Sequence, residues 1–251
     1  MTCPFLLSDS QWLKISSYYE DNRQRKHSLR IVVSGIIYLL QTGCQWRRLP
    51  RCYGKWQLVY YYFRRWGSYS VFYGLLYELL REVRKAAGRK AEPTAIVVDT
   101  QSIKSTAGVS EDTGYDGAKK LKGRKTSLAT DTMGNPVAVG VSAANCHDKK
   151  CILTLEEQLE DLCCVKKAYV DGSFKGAPAM KLSRRIEWEV VEKKGGPFKI
   201  LPKRWVVERT FSWFMNFRRL TRSYEKCTEV AQTMLLLASV FILLNKLSNY
   251  S

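Results

Sequence analysis

Three acidic residues stand where chemistry could be done. Asp99 closes the apolar run Thr94-Ala95-Ile96-Val97-Val98-Asp99, which reads as a strand buried on both faces. Asp171 closes a second strand-like run, Lys166-Lys167-Ala168-Tyr169-Val170-Asp171, with Gly172 next. In an open α/β sheet, ligands bind beyond the carboxyl ends of parallel strands, where both side chains would stand. The third residue, Glu208, lies one turn into Lys203–Leu220, a stretch without Gly whose neighbouring Pro202 precedes it, where a helix start tolerates proline. Val206, Thr210, Trp213, Phe217 and Leu220, with Val207, Phe211 and Phe214, recur at helical spacing as one wide apolar face. Alone, Glu208 reads either as a surface carboxylate paired with Arg204 at i,i+4 or as a metal ligand in a cationic groove. A strand-terminal Asp before Gly is often a turn former. Together the three carboxylates suit a hard, oxygen-liganded ion, Mg²⁺ with Mn²⁺ as substitute, rather than zinc. Two such ions roughly 3.5–4 Å apart can activate an attacking oxygen and stabilise a leaving one in phosphoryl transfer.

Composition narrows the partner. The chain has 251 residues, 45% of them hydrophobic, enough for one large domain or two modest ones. Its formal charge of +18 and pI near 9.6 call for an anionic partner, most commonly nucleic acid. No long basic amphipathic helix suggests a membrane surface, and the apolar run Met234–Leu244 is too short for a span. The 8 cysteines include no C-x-x-C pair, and Cys146-His147 with Cys151 lacks a second ligand pair for zinc. With no signal peptide in view, reduced, buried thiols in a cytosol are expected.

The elements that would position these residues fall into two groups. Residues 1–90 read as helical: one helix capped by Ser8 or Ser10 and running through Tyr19, then His27–Gln41 ended by Gly43, Lys55–Trp66 and Tyr69–Ala87. Arg47 and Arg48 lie in a basic turn, and Arg64 and Arg65 at a helix end. That pattern fits a helix-turn-helix DNA reader or a plain bundle with solvated arginines. The polar join Gly88–Pro93 marks a boundary, so 91–251 forms a second domain. There Lys125–Asp131 and Pro136–Ala143 read as a hairpin, Asp148–Leu162 as a helix capped by Asp148, Ala177–Arg184 as a short helix, Ile186–Val191 as a strand and Val230–Leu247 as a core helix. Helical crossovers between strands imply parallel pairing in a mixed α/β sheet. Lys119, Lys120, Lys122, Arg124 and Lys125 read as a basic loop with Tyr115, placed for phosphate contact beside Asp99. Asp131 reads as a hairpin-end residue, and Trp205 and Trp213 as core.

The motifs in combination resemble a known family. Val97-Val98-Asp99-Thr100-Gln101-Ser102-Ile103-Lys104-Ser105-Thr106, then Gly114-Tyr115-Asp116-Gly117 through Gly123-Arg124-Lys125, then Asp131-Thr132-Met133-Gly134-Asn135, resemble the DDE transposases of bacterial insertion sequences, of the "insertion sequence five" family. Asp171-Gly172-Ser173-Phe174 is similar to the second-aspartate motif, and Arg204-Trp205-Val206-Val207-Glu208-Arg209-Thr210-Phe211 to the glutamate motif. Gln41–Pro50 and Trp56–Tyr60 resemble that family's N-terminal helical domain, so the likeness spans about residues 10–245. The resemblance implies a ribonuclease-H-like mixed sheet flanked by helices and preceded by the helical domain. It implies cleavage of the element's DNA ends at terminal inverted repeats and joining of the freed 3′-hydroxyls to target DNA, with two Mg²⁺ ions held by Asp99, Asp171 and Glu208. Arg204 would contact phosphate or orient Glu208, with Lys104, Arg218 and Arg219 among the other DNA-facing cations. It further implies double-stranded DNA as partner, a homodimer or larger synaptic assembly, no membrane, and a cytoplasmic, nucleoid-associated place. Two positions depart from the family pattern: Thr126 and Ser127 follow Gly-Arg-Lys, and Met215 and Asn216 stand where a basic residue is usual. A catalytically inactive DNA-binding regulator and a nuclease without strand transfer are the competing functions.

Overall fold

The computed structural model describes residues 2–19, 27–67, 69–109, 111–175, 185–191 and 202–250. The expected short helix at 177–184 lies outside them.

Four helices come first: α1 (Asp9–Ile15), α2 (Leu29–Thr42), α3 (Trp56–Trp66) and α4 (Tyr69–Ala86). Ser8 Oγ accepts from Gln11 N at 3.1 Å while the Gln11 side chain accepts from Ser8 N at 3.0 Å, a reciprocal cap on α1. The last turn expected through Tyr19 is instead a tighter 3₁₀ turn, Ser16–Tyr18. Gly43 ends α2 at φ 69°, a left-handed value that only glycine takes cheaply.

The sheet follows: β1 (Ala95–Lys104), β2 (Gly114–Asp116), β3 (Leu121–Asp131), β4 (Pro136–Ala143), β5 (Lys167–Asp171) and β6 (Glu187–Val191). β3 pairs antiparallel with β1 and β4, whereas β5 runs parallel to β1 and β6 parallel to β5. The lateral order β4-β3-β1-β5-β6, with β2 extending β3 at its start, is that of a ribonuclease-H-like sheet. β1 runs five residues beyond Asp99, further than its apolar run suggests, because its polar half is zipped to β3 as far as Lys104 opposite Gly123. Gly123 is needed there: a Cβ would stand 1.9 Å from Ile103 O. The expected basic loop is likewise corrected, since Lys122, Arg124 and Lys125 belong to β3.

The expected helix 148–162 is broken into α5 (Asp148–Cys151), a 3₁₀ turn (Ile152–Leu155) and α6 (Glu156–Glu160). Its inward residues Ile152, Leu155, Leu159 and Leu162 are nonetheless buried. His147, not Asp148, is the cap, accepting from Lys149 N at 3.3 Å. α7 (Pro202–Met215) stops short of Leu220, because Asn216 N and Phe217 N donate to Trp213 O and Phe214 O and tighten the final turn. A separate 3₁₀ turn covers Arg218–Leu220.

α8 (Thr228–Ser248) is 21 residues long, so by length and composition it could cross a bilayer, contrary to the reading from Met234–Leu244. Its most apolar window is 78% buried, and it packs on α4 and β4 as a core helix does. One continuous core joins α2 and α4 to β1, β4, α7 and α8. Asp131, fully buried at the end of β3, ties the helical segment to the sheet by accepting from Arg84 of α4 and from Asn135 Nδ2.

Candidate active site

Strand register does most of the positioning. Ile96 lies opposite Ala168 and Val97 opposite Tyr169 in the parallel β1–β5 pair. Two residues on, the same register sets Asp99 level with Asp171. Side chains alternate along a strand, so Val97 and Asp99 share a face, as do Tyr169 and Asp171. The two carboxylates therefore leave one face of neighbouring strands at one level.

α7 brings the third. Val207, Thr210, Phe211 and Phe214 are its buried face, packed on β1, β3 and β5. Thr210 Oγ1 donates to Gly134 O at 2.8 Å and Arg209 Nη2 to Met133 O at 2.8 Å, which fixes the helix to the β3–β4 turn. Glu208 is thereby turned outward, over the strand ends. Trp213 packs partly buried against the core, as expected, but Trp205 does not. Trp205 is 43% exposed, and Arg209 lies over both rings, 4.6 and 4.9 Å from their centroids.

Asp99, Asp171, Glu208 and Arg204 line one open pocket of about 570 Å³. Arg204 Nη2 stands 3.5 Å from Asp171 Oδ2 and 3.6 Å from Glu208 Oε1, so one guanidinium bridges two of the three carboxylates. The helical i,i+4 pair and the shared acidic site thus coexist. Arg204 Nε is buried with no hydrogen-bond partner among the described residues. Asp171 is held by its own turn, accepting from Ser173 N at 2.8 Å and from the Ser173 hydroxyl. Asp99 Oδ1 accepts from Thr100 N at 2.7 Å. Burial first, then the charges of Asp171 and Glu208, push the Asp99 carboxyl up to about 6, against the pull of Thr100 N–H and Arg204.

The far wall holds two carboxylates, Asp148 and Asp116, that sequence reading did not place in the site. Asp148 Oδ1 accepts from Thr100 Oγ1 at 2.9 Å and Lys125 Nζ at 2.8 Å, so its role is to hold the pocket rather than cap a helix. Burial works to lower the Lys125 ammonium, and the bond to Asp148 outweighs it, leaving the lysine above its usual value. Asp116 accepts from Ser102 Oγ and from Ala118 N and Lys119 N; the Ser102 contact leads in holding its carboxyl low. Asp116 stands in the quoted Gly-Tyr-Asp-Gly motif, which was the available signal. Lys119 also lines the pocket.

The remaining cations separate. Lys104, Lys120, Lys122, Arg48, Arg65 and Arg218 are exposed, away from the pocket lining. Arg47 and Arg64 line a second groove with Trp46, Trp56 and Tyr60. Arg124 and Arg219 do not join the DNA-facing set. Arg124 is 2% exposed and spends its guanidinium on the carbonyls of Glu111, Glu225 and Lys226 and the hydroxyl of Ser223. Arg219 is 8% exposed, bound to Glu225 and Cys44 O. Thr126 and Ser127 are buried too, with Ser127 Oγ donating to Cys151 O, so no side chain at these two positions faces solvent. All 8 cysteines are free thiols, but among them Cys151 alone is buried, and Cys163 and Cys164 are exposed.

The donor set fits a hard divalent ion in kind: three carboxylates, one of them raised by burial first and then by the other two. The ligand oxygens do not meet the 4.8 Å mutual spacing of a single-ion cluster, which among the described residues is reached elsewhere.

Two family profiles match. One, described as a transposase of the IS4/5 family, covers residues 7–76, and the other, the transposase DDE domain, covers 90–243. The chain belongs to the DDE transposases of the IS4/5 group. DDE transposase domains generally use divalent metal ions. No curated protein matches. Among solved structures, the Mos1 transposase paired-end complex with left transposon end is similar at 10% identity over 88% of this chain and 86% of that chain, with a TM-score of 0.24.

Proposed function

We propose that the protein binds the terminal inverted repeats of its insertion sequence, hydrolyses the DNA at those ends, and joins the freed 3′-hydroxyls to target DNA. The observation that carries this is the level placement of Asp99 and Asp171 on adjacent parallel strands with Glu208 brought over them by α7. Asp99, Asp171 and Glu208 would hold two Mg²⁺ ions, which supply charge neutralisation and an activated oxygen when bound. Arg204 holds Asp171 and Glu208 in place and, where its guanidinium lines the pocket, would contact a phosphate oxygen. Lys119 offers a further phosphate contact at the rim. Lys125, Asp148 and Thr100 brace the wall opposite. The helical segment 1–90 would read the element ends, with Arg47, Arg48, Arg64 and Arg65 on phosphates, and Lys104, Lys120, Lys122 and Arg218 would extend the basic surface. A homodimer or larger assembly would pair the two ends, in the cytoplasm, on nucleoid DNA.

The test is end cleavage by Asp99→Asn in Mg²⁺. Cleavage should be lost while end binding persists; undiminished cleavage would take Asp99 out of the site. A regulator without catalysis would show no strand scission with Mn²⁺ in the unaltered chain. A nuclease without strand transfer would cut ends but fail to join pre-cut ones.

A further inference from the structure

A second cluster of ligand-grade side chains lies at the opposite ends of the two aspartate-bearing strands. Glu92 sits in the connector entering β1, and Cys163 and Cys164 in the connector entering β5. A carboxylate oxygen and both sulfurs all lie within 4.8 Å of one another. Cys163 Sγ donates to Glu92 Oε2 at 3.6 Å, and Tyr77 OH, from α4, donates to Glu92 Oε1 at 2.7 Å. The connectors are already joined through their backbones, since Lys166 N and Lys167 N both donate to Thr94 O, at 2.9 and 3.2 Å.

Two thiols and a carboxylate form a donor set unlike the three carboxylates of the pocket. Thiolate sulfur selects zinc-class ions over Mg²⁺. Three protein ligands leave a fourth tetrahedral position for water. Tyr77, bonded to the carboxylate oxygen that Cys163 does not use, is placed to orient that ligand. Cys163 and Cys164 are exposed and not joined in a disulfide, so an ion in solution can reach them.

We propose that Glu92, Cys163 and Cys164 bind a thiophilic divalent cation of the zinc class, clasping the entries of β1 and β5. Two metal–sulfur bonds and one metal–oxygen bond form as the hydrated ion sheds water molecules to solvent, and each thiol releases its proton, with no change of oxidation state. Binding therefore weakens in acid. The site is structural. It fixes the relative seating of the strands that carry Asp99 and Asp171 at their far ends, and it does not depend on the DNA chemistry proposed above.

The test titrates the metal-free, reduced full chain with Co²⁺ and watches for the thiolate-to-cobalt charge-transfer band. The band should saturate at one equivalent and vanish on adding Zn²⁺. It should be absent from Cys163→Ser/Cys164→Ser, and it should survive in Cys3→Ser/Cys52→Ser, another pair of neighbouring thiols. Tyr77→Phe should weaken binding about tenfold, as loss of a ligand-orienting partner does. A wild-type chain without the band, or a band that persists in Cys163→Ser/Cys164→Ser, overturns the proposal. Should that double variant fail to fold, alkylation mapping of the wild type decides. One equivalent of Zn²⁺ must protect Cys163 and Cys164, and protection of other cysteines instead refutes the assignment.

Discussion

Replacing Asp99 by Asn should stabilise the metal-free protein at neutral pH. Burial leads in raising the Asp99 carboxyl from 3.8 to about 6. The fold therefore disfavours its ionised form. In the unfolded chain the group titrates near its ordinary value, so above pH 6 both states are ionised and the penalty is complete. As pH falls from about 6 towards 4 the folded state takes up its proton first and the penalty fades. The gap corresponds to about 3 kcal/mol at most, at about 1.4 kcal/mol per pH unit. Solvent access to a half-buried group reduces this to about 1–2 kcal/mol. Asn keeps an oxygen to accept from Thr100 N and carries no charge. In EDTA at pH 7, Asp99→Asn should melt about 2–8 °C above the wild type, at about 2–4 °C per kcal/mol for a chain of this size. The difference should shrink to about half at pH 5 and largely vanish near pH 4. Mg²⁺ should raise the wild-type melting temperature and not that of the variant, since binding to the folded state stabilises by mass action. A variant less stable than wild type in EDTA at pH 7, or a difference that ignores pH, would refute the claim that Asp99 is a charge held at a cost.

Other expectations follow from the same geometry. Arg204→Ala removes the bridge between Asp171 and Glu208 and one of the pulls lowering Asp99, so end cleavage should fall by about 10²–10³, as for loss of a preorganised donor; cleavage assays on pre-bound ends check it. Lys119→Ala should reduce the salt slope of DNA binding by about one without changing the melting temperature. Arg124→Met should do the reverse, costing about 1–3 kcal/mol in urea melts because buried carbonyls lose their donor, with the salt slope unchanged. Asp131→Ala leaves the Arg84 guanidinium buried without its carboxylate and should cost about 3–5 kcal/mol, read by the same melts.

What the sequence alone determined was local. Apolar runs marked where β1, β4 and β5 lie, the Ser8 cap and Gly43 marked two helix boundaries, and the period of 3.6 placed Val207, Phe211 and Phe214 on one face of α7. Each is set by residues within a turn or a strand of one another, and each is visible without knowing the partner. The reading failed where a distant segment decides. β1 continues to Lys104 because β3, seventeen or more residues on, supplies its hydrogen bonds. Arg124 and Arg219 read as surface cations, yet carbonyls and a carboxylate around 225 draw both inside. Asp148 reads as a cap until Lys125 and Thr100 meet it across the pocket. Above all, nothing in either run states that Asp99 and Asp171 stand level. That is fixed by the register of two strands more than sixty residues apart, which forms only when both bury their apolar faces in one core.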